Sequence, residues 1–371
     1  MKILFAGGGT AGHINPALAV ASFIRERHPR YEIRFAGTPN GMESRLVPAA
    51  GFPIDPVDIR GFRRQLSLYN VGTVRRIFTS FAQVDRILRE FGPDVVVGTG
   101  GYVSGPVVYR AAKRGIPTAI HEQNSFPGVT TKILSRYADQ IMIASEDAAK
   151  YLKHPERITV TGNPVREEVI FYDRQAARRE LKLDERPMIL SFGGSLGARR
   201  MNEALTDLIA LDWKDAKYQH IHATGGYGRK SVPRALREKG VDPAVSHIRI
   251  REYIDDMARC LAAADLVICR CGAITLSELE VRGRPSILVP SPNVAENHQY
   301  YNGRSLSDRG AAMLIEEKDL SGEALLRAVT ELFSQPGRLS QMGKAASKMA
   351  IVDANDRMDA VIEALAGGTG R

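Results

Sequence analysis

Short apolar runs alternate with amphipathic stretches along the whole chain, and that alternation predicts parallel sheets built from βαβ units. In the first half the runs are Ile3–Ala6, Glu32–Ala36, Val95–Gly98, Thr118–His121 and Gln140–Ala144. In the second they are Met188–Phe192, Tyr218–Ala223, His247–Ile250, Leu266–Cys269 and Ser286–Val289. Each half opens the same way, with a strand feeding a glycine loop and then a helix. The loops are Gly7–His13 and Gly193–Ala198, the second followed by Met201, Leu205 and Leu208 at helical spacing. Thr-Gly-Gly-Tyr also occurs twice, at 99–102 and 224–227. The pattern reads as an α/β protein of two similar, doubly wound, Rossmann-like domains, 1–163 and 164–351, joined near Gly162–Arg166. The stretch from Ser340 to Leu365 reads as helical with a break at Asp353–Asp356. Its last part, 352–371, is expected to pack back on the first domain.

Composition agrees with two cores: 371 residues are too many for one, and 44% apolar with 25% charged residues is ordinary for a soluble globular protein. The N-terminus has no secretory pattern, and no stretch approaches the roughly 18 apolar residues of a spanning helix. Three cysteines, Cys260, Cys269 and Cys271, cannot make a disulfide framework, which suits a reducing cytoplasm. Charge is unevenly divided. Residues 1–163 carry 21 Lys/Arg against 13 Asp/Glu, whereas 164–371 carry 30 against 29. A basic half suits an anionic membrane surface better than nucleic acid, because no nucleic-acid module or aromatic-interleaved basic stripe is present. Within Val71–Phe91, the residues Val74, Ile77, Phe78, Phe81, Val84, Ile87 and Leu88 lie beside Arg75, Arg76, Arg86 and Arg89, after Phe62-Arg63-Arg64. Such a helix could lie on a membrane interface or face a core with a solvated basic side.

The first loop nominally satisfies G-x-G-x-x-G through Gly7, Gly9 and Gly12. Asn15 is expected to cap and Pro16 to start a helix whose amides point at something anionic. A dinucleotide site also needs an acid at the end of the second strand, and that strand runs into Gly37-Thr38-Pro39-Asn40-Gly41 instead. The second loop lacks the spacing and no P-loop occurs, so a nicotinamide enzyme is disfavoured. A better nucleotide signal is the strand Asp265–Cys269 leading to Gly272-Ala273-Ile274-Thr275, where bare backbone and a helix N-terminus suit phosphate. Glu278 is placed to accept ribose hydroxyls, while Glu280 reads as a simple first-turn acid. His298, Gln299 and Asn302 share a helical face and suit sugar hydroxyls. At strand ends of the first half, 99–105 and His121-Glu122-Gln123-Asn124 are ligand-capable, with Glu122 and Asn124 the sharper candidates and His121 equally readable as structural. Cys269 and Cys271 lack a second pair and read as packing, not as metal ligands.

These segments together resemble the MurG family of UDP-N-acetylglucosamine:undecaprenyl-diphosphoryl-muramoylpentapeptide N-acetylglucosaminyltransferases. The similarity runs through Gly8–His13, Gly100–Pro106, His121–Asn124, Gly162–Arg166, Gly193–Ala198, Tyr253–Met257 and Gly272–Glu278. It implies a GT-B fold, two Rossmann-like domains facing across a cleft. It further implies an inverting transfer of N-acetylglucosamine from UDP-N-acetylglucosamine to the C4 hydroxyl of the lipid-linked muramoylpentapeptide, at the cytoplasmic face of the membrane. On the donor side it implies Thr10, Ala11, Gly12, His13, Asn124, Arg166, Ser195, Ile254, Ala273, Ile274, Thr275, Glu278, His298, Gln299 and Asn302. On the acceptor side it implies Gly9, His13, Asn15, Gly101, Tyr102 and Ser104. His13 or Glu122 would take the proton, with no resident metal or cofactor. Cys271 departs from the smaller residue expected there. The alternatives are another GT-B lipid glycosyltransferase, a UDP-N-acetylglucosamine epimerase, or a non-catalytic nucleotide-sugar or membrane-binding module.

Overall fold

The structure, a computed structural model, describes residues 1–61, 68–242 and 245–367; the side chains of 68–75, 77 and 78 are outside the description. The chain divides into two compact units, Met1–Pro164 with Asp353–Arg371, and Val165–Val352. Each is a parallel sheet with helices on both faces.

The first sheet contains β1 (Lys2–Gly7), β2 (Glu32–Gly37), β3 (Ile54–Pro56), β4 (Val95–Gly100), β5 (Thr118–Glu122), β6 (Gln140–Ile143) and β7 (Ile158–Val160), ordered β3-β2-β1-β4-β5-β6-β7. The second contains β8 (Met188–Phe192), β9 (Gln219–Ala223), β10 (Ile248–Arg251), β11 (Leu266–Cys269), β12 (Ser286–Leu288) and β13 (Ala312–Leu314), ordered β10-β9-β8-β11-β12-β13. Both orders reverse beside the first strand of the unit, and open α/β sheets bind ligands in the crevice such a reversal leaves at the carboxyl edge. Strands β3, β7 and β13 are absent from the hydrophobic pattern. All three are edge strands of three residues, paired on one side only, too short to show a period.

The central strands are buried on both faces, as their continuous apolar runs require. Phe5, Phe35, Ile14, Val20 and Ile24 form one layer with Met358 and Ile362 of the helix Ala354–Gly367. That helix is tied to α1 (Ala11–Arg27) by Arg27 to Asp356 at 2.6 Å and His28 to Asp359 at 3.2 Å. On the other face, Val84, Ile87 and Leu88 of α3 (Leu68–Phe91) enter the core with Val107 and Val108 of α4 (Ser104–Lys113). The core reading therefore holds for the C-terminal half of α3. Phe81 lies against the Tyr109 ring at 5.8 Å. Phe62, Arg63 and Arg64, and the side chains of Val74, Arg75, Ile77 and Phe78, lie outside the described residues. No described helix is long and apolar enough to cross a membrane.

One expected helix start is corrected. Helix α1 begins at Ala11 with Thr10 as N-cap, so Asn15 and Pro16 lie inside it. Proline there falls within the second turn, and its missing N–H removes the intrahelical bond that Gly12 O would otherwise accept. The effect is to draw the end of the glycine loop into the helix.

Candidate active site

The first unit's site forms where the loops after β1 and β4 part. Gly8 N–H donates to Gly100 O at 3.3 Å. A Cβ on Gly101 would stand 2.1 Å from Gly8 O, and one on Gly7 would stand 2.1 Å from Thr99 Oγ1. These glycines are bare because two loops press together, which is a different reason from ligand approach. The Thr99 hydroxyl donates to His13 O at 2.9 Å, and the His13 ring lies against Gly100.

A chain of hydrogen bonds then fixes the His13 tautomer. Gly162 O can only accept, so His121 donates to it from Nε2 at 2.9 Å and keeps Nδ1 as an acceptor. Burial holds His121 below the ordinary histidine value, which keeps it neutral. The Gln123 amide NH₂ donates to His121 Nδ1 at 3.0 Å and to Thr99 O at 2.9 Å. Gln123 Oε1 is thereby turned to His13 Nδ1 at 3.1 Å and can only accept. His13 donates from Nδ1, and its Nε2 lone pair is left to take a proton.

Glu122 is organised differently. Its side chain is buried, with Oε1 accepting from the backbone and side-chain amides of Asn124 at 3.0 and 2.9 Å and Oε2 from Gly128 N–H at 3.2 Å. Three donors bracing one carboxylate orient the Asn124 loop. Ser104 is also interior: it accepts from Gly100 N–H at 3.0 Å and donates to Ala6 O at 2.5 Å, holding β1 to β4. Tyr102 and Asn15 are exposed, and Gly9 gives its N–H to Glu43 Oε2 at 3.1 Å.

In the second unit, the loops after β8, β11 and β12 surround a cavity of about 470 Å³ lined by Gly193, Gly194, Gly272, Thr275 and Gln299. Gly272 caps the helix Ala273–Arg282, so the amides of Ala273, Ile274 and Thr275 open its first turn. Ser195 is exposed in the β8 loop, and Ile254 is buried just after β10. Gln299 Oε1 accepts from Ser291 N–H at 2.9 Å, and Asn302 Nδ2 donates to Cys271 O at 3.1 Å, so both brace loops that line the cavity. His298 donates from Nδ1 to Ala295 O at 2.7 Å. Just before it, Glu296 and Asn297 both take left-handed backbone, a strain of about 1–3 kcal/mol each that clusters at ligand sites.

Glu278 lies in the second turn of its helix. Burial pushes its carboxyl up to about 7, opposed by Arg166 3.9 Å away. Glu280 is not a first-turn acid: it sits near the C-terminal end of the helix, where burial pushes it up to about 8 against the pull of Arg309. Sequence reading missed Arg270, whose partly buried guanidinium pairs with Glu317 and donates to Pro290 O at 3.0 Å, pinning the β11 and β12 loops together. Cys271 is fully buried and lies against the bare Gly303 of helix His298–Ser307, which accounts for a thiol where a smaller residue is expected. Burial raises the thiols of Cys260, Cys269 and Cys271, as suits packing residues.

The two Thr-Gly-Gly-Tyr segments are not equivalent repeats. The first begins within the last two residues of β4, the fourth strand of its unit, and the second follows β9, the second strand of its own. Each nevertheless presses a glycine on the local glycine loop: a Cβ on Gly225 would lie 2.1 Å from Gly197 N.

Two doubly wound parallel domains, one with an open helix N-terminus one turn before the partly buried Glu278, are the architecture of a GT-B nucleotide-sugar glycosyltransferase. Residues 3–143 match the glycosyltransferase family 28 N-terminal domain and 188–358 its C-terminal domain. The chain is 43% identical to the UDP-N-acetylglucosamine–N-acetylmuramyl-(pentapeptide) pyrophosphoryl-undecaprenol N-acetylglucosamine transferase of Acetivibrio thermocellus, over 98% of each chain. It is equally 43% identical to the enzyme of the same name from Bacillus cytotoxicus, over 98% of this chain and 99% of the other. Among solved structures it resembles Acinetobacter baumannii MurG, with a TM-score of 0.78 and 30% identity over 98% and 99% of the two chains. A complex of Staphylococcus aureus MnaA with UDP shares the fold alone, at a TM-score of 0.67 and 15% identity over 98% and 96%. The chain belongs to the MurG family.

Proposed function

We propose that the protein transfers N-acetylglucosamine from UDP-N-acetylglucosamine to the C4 hydroxyl of undecaprenyl-diphosphoryl-muramoylpentapeptide, converting lipid I to lipid II with inversion at the anomeric carbon. The first domain serves the acceptor and the second the donor. His13 Nε2 removes the proton from the attacking hydroxyl, and the C4 oxygen bonds to the anomeric carbon as the bond to UDP breaks. Amides of Ala273, Ile274 and Thr275, with Ser195 and Arg166, bind the diphosphate and stabilise its growing charge. Glu278 accepts from the ribose, the backbone at Ile254 meets the uracil, and His298, Gln299, Asn302 and Asn124 address the sugar. Thr10, Ala11 and Gly12 complete the first loop, and Gly101, Tyr102 and Asn15 face the acceptor. The observation that carries this reading is the hydrogen-bond chain that leaves His13 Nε2 as an acceptor.

Incubation with labelled UDP-N-acetylglucosamine and lipid-linked muramoylpentapeptide is expected to yield lipid-linked disaccharide and UDP. Recovery of only an epimerised sugar nucleotide, or donor binding with no transfer, refutes the proposal. Gln123→Leu removes the acceptor that holds His13 Nδ1–H and is expected to lower kcat by about 10- to 100-fold, the usual cost of losing a histidine's orienting partner. Steady-state kinetics with donor and acceptor varied separately check this, with the KM for UDP-N-acetylglucosamine expected to stay put.

The basic first half supports peripheral attachment to an anionic membrane, at the cytoplasmic face, where the polyprenyl acceptor would be held. Arg86 and Arg89 are exposed on α3. Reversing both to Glu is expected to weaken binding to phosphatidylglycerol vesicles by at least about tenfold, since each basic residue near such a surface contributes about 1 kcal/mol. Co-sedimentation that is unchanged by the reversal and by salt would sink the membrane reading.

A further inference from the structure

The acid missing from the end of β2 in sequence is present in space. The turn Gly37–Met42 leads to α2 (Glu43–Ala49), whose first residue folds back on the glycine loop after β1. Glu43 is fully buried. One carboxylate oxygen accepts Gly9 N–H at 3.1 Å, and the other accepts the amide and hydroxyl of Thr38 at 3.0 and 2.5 Å. A Cβ on Gly8 would stand 2.5 Å from the carboxylate, and one on Gly41 2.4 Å from it. On Gly37 it would stand 2.8 Å from Glu43 Cγ. Three glycines are therefore bare around this one side chain. Burial alone would push the carboxyl up. The hydrogen bonds from Thr38, its own backbone and Gly9 outweigh that and hold it below the ordinary range, so it is an anion at neutral pH.

In dinucleotide-binding folds, the backbone amides of the loop after the first strand receive phosphate. Here an oxyanion of the chain itself already takes the Gly9 amide. An added Cβ would meet nothing within 4 Å on either Gly9 or Gly194, but only the loop of the second domain lines the 470 Å³ cavity. We propose that Glu43 is a resident anion occupying the phosphate position of the first domain's glycine loop, closing that loop to nucleotide phosphate and fixing the segment that carries His13. The connection to His13 is short. Gly9 is followed by the N-cap Thr10 and the first turn of α1, in which His13 N–H bonds back to Thr10 O at 3.1 Å. Gly8, squeezed between Glu43 and Gly101, ties the same loop to Gly100, against which the His13 ring lies. Glu43 is thus a positioning residue. The part of this inference that concerns His13 rests on its assignment as base; the resident anion does not.

Turnover of lipid-linked acceptor, UDP affinity by calorimetry and thermal unfolding would be measured for Glu43→Ala, Glu43→Gln, His13→Ala and the Glu43→Ala/His13→Ala double variant. Glu43→Ala is expected to lose about 100-fold in kcat, the size of a small misplacement of a reacting group, with UDP affinity unchanged. Glu43→Gln keeps an acceptor oxygen without the charge and should recover about tenfold of that loss. The double variant should turn over no more slowly than His13→Ala, because Glu43 acts through His13. Inorganic pyrophosphate should inhibit Glu43→Ala at concentrations that leave the wild type untouched. Full turnover of Glu43→Ala, losses that multiply in the double variant, or a parallel loss of UDP affinity would each overturn the positioning claim. Equal pyrophosphate sensitivity in variant and wild type would overturn the resident anion. Wild-type turnover in His13→Ala would instead remove the base assignment, leaving pyrophosphate to decide the rest. If Glu43→Ala does not fold, Glu43→Gln carries the same comparisons.

Discussion

His13→Ala is expected to lower kcat by about 10²- to 10⁴-fold, the usual contribution of a positioned general base, while UDP affinity stays within about twofold. The reason is local. His13 Nδ1–H is committed to Gln123, and the Gln123 amide is itself committed to His121 and Thr99, so the ring presents Nε2 and cannot exchange roles. His13→Gln restores a hydrogen-bonding side chain but no proton acceptor of comparable basicity, and it is expected to rescue little. A His13→Ala protein with wild-type turnover would refute the assignment. Glu122 is the comparison: its carboxylate is held by Asn124 and Gly128 amides. Glu122→Gln is therefore expected to disturb donor KM through Asn124 as well as kcat, a split that separates a loop brace from a base.

Glu278→Ala is expected to raise the KM for UDP-N-acetylglucosamine by about 10- to 100-fold, the equivalent of the roughly 1.5–3 kcal/mol of a hydrogen bond to a charged group. It should do so with a small change in kcat at saturating donor. The same loss should appear when the wild type is given a 2′-deoxyuridine donor, and Glu278→Ala should no longer distinguish the two donors. Retained discrimination by Glu278→Ala would reject the ribose role. The pH dependence follows from the carboxyl being pushed up to about 7 by burial. Below that pH Glu278 holds a proton and loses acceptor capacity, so kcat/KM for the donor should fall as pH drops from 8 to 6. Linkage gives a second check. The folded state binds this proton more tightly than the unfolded chain, so ligand-free stability should fall as pH rises from the ordinary carboxylate range to about 7. UDP should offset that loss. Thermal melts with and without UDP across this range measure both effects.

The central strands were legible because they are buried on both faces, and burial demands uninterrupted apolar residues whatever their neighbours. Thus Met188–Phe192 and Leu266–Cys269 are strands over the bounds their composition suggests. Three of the four edge strands, β3, β7 and β13, were not legible, since one-sided pairing and three-residue length relax that demand; the longer β10 was. Pro16 misled because proline at a helix start and proline in an early turn leave the same local signature; packing of Ile14 and Ala17 into the core extends the helix back to Ala11.

The sequence by itself determined two parallel α/β domains and, through the resemblance of its ordered motifs, the family. The domains depend on composition and period within single segments, and the family on motifs read in order along the chain. Only the tertiary structure decided which polar residues were left for chemistry. His13 is 110 residues from Gln123, Gly9 is 34 from Glu43, and Thr99 bonds to His13 across 86. A hydrogen bond has direction and a partner, and neither is encoded in one segment. The tautomer of His13, the bracing of Glu122 and the anion already seated on the first glycine loop emerge only where separate strand ends are brought together.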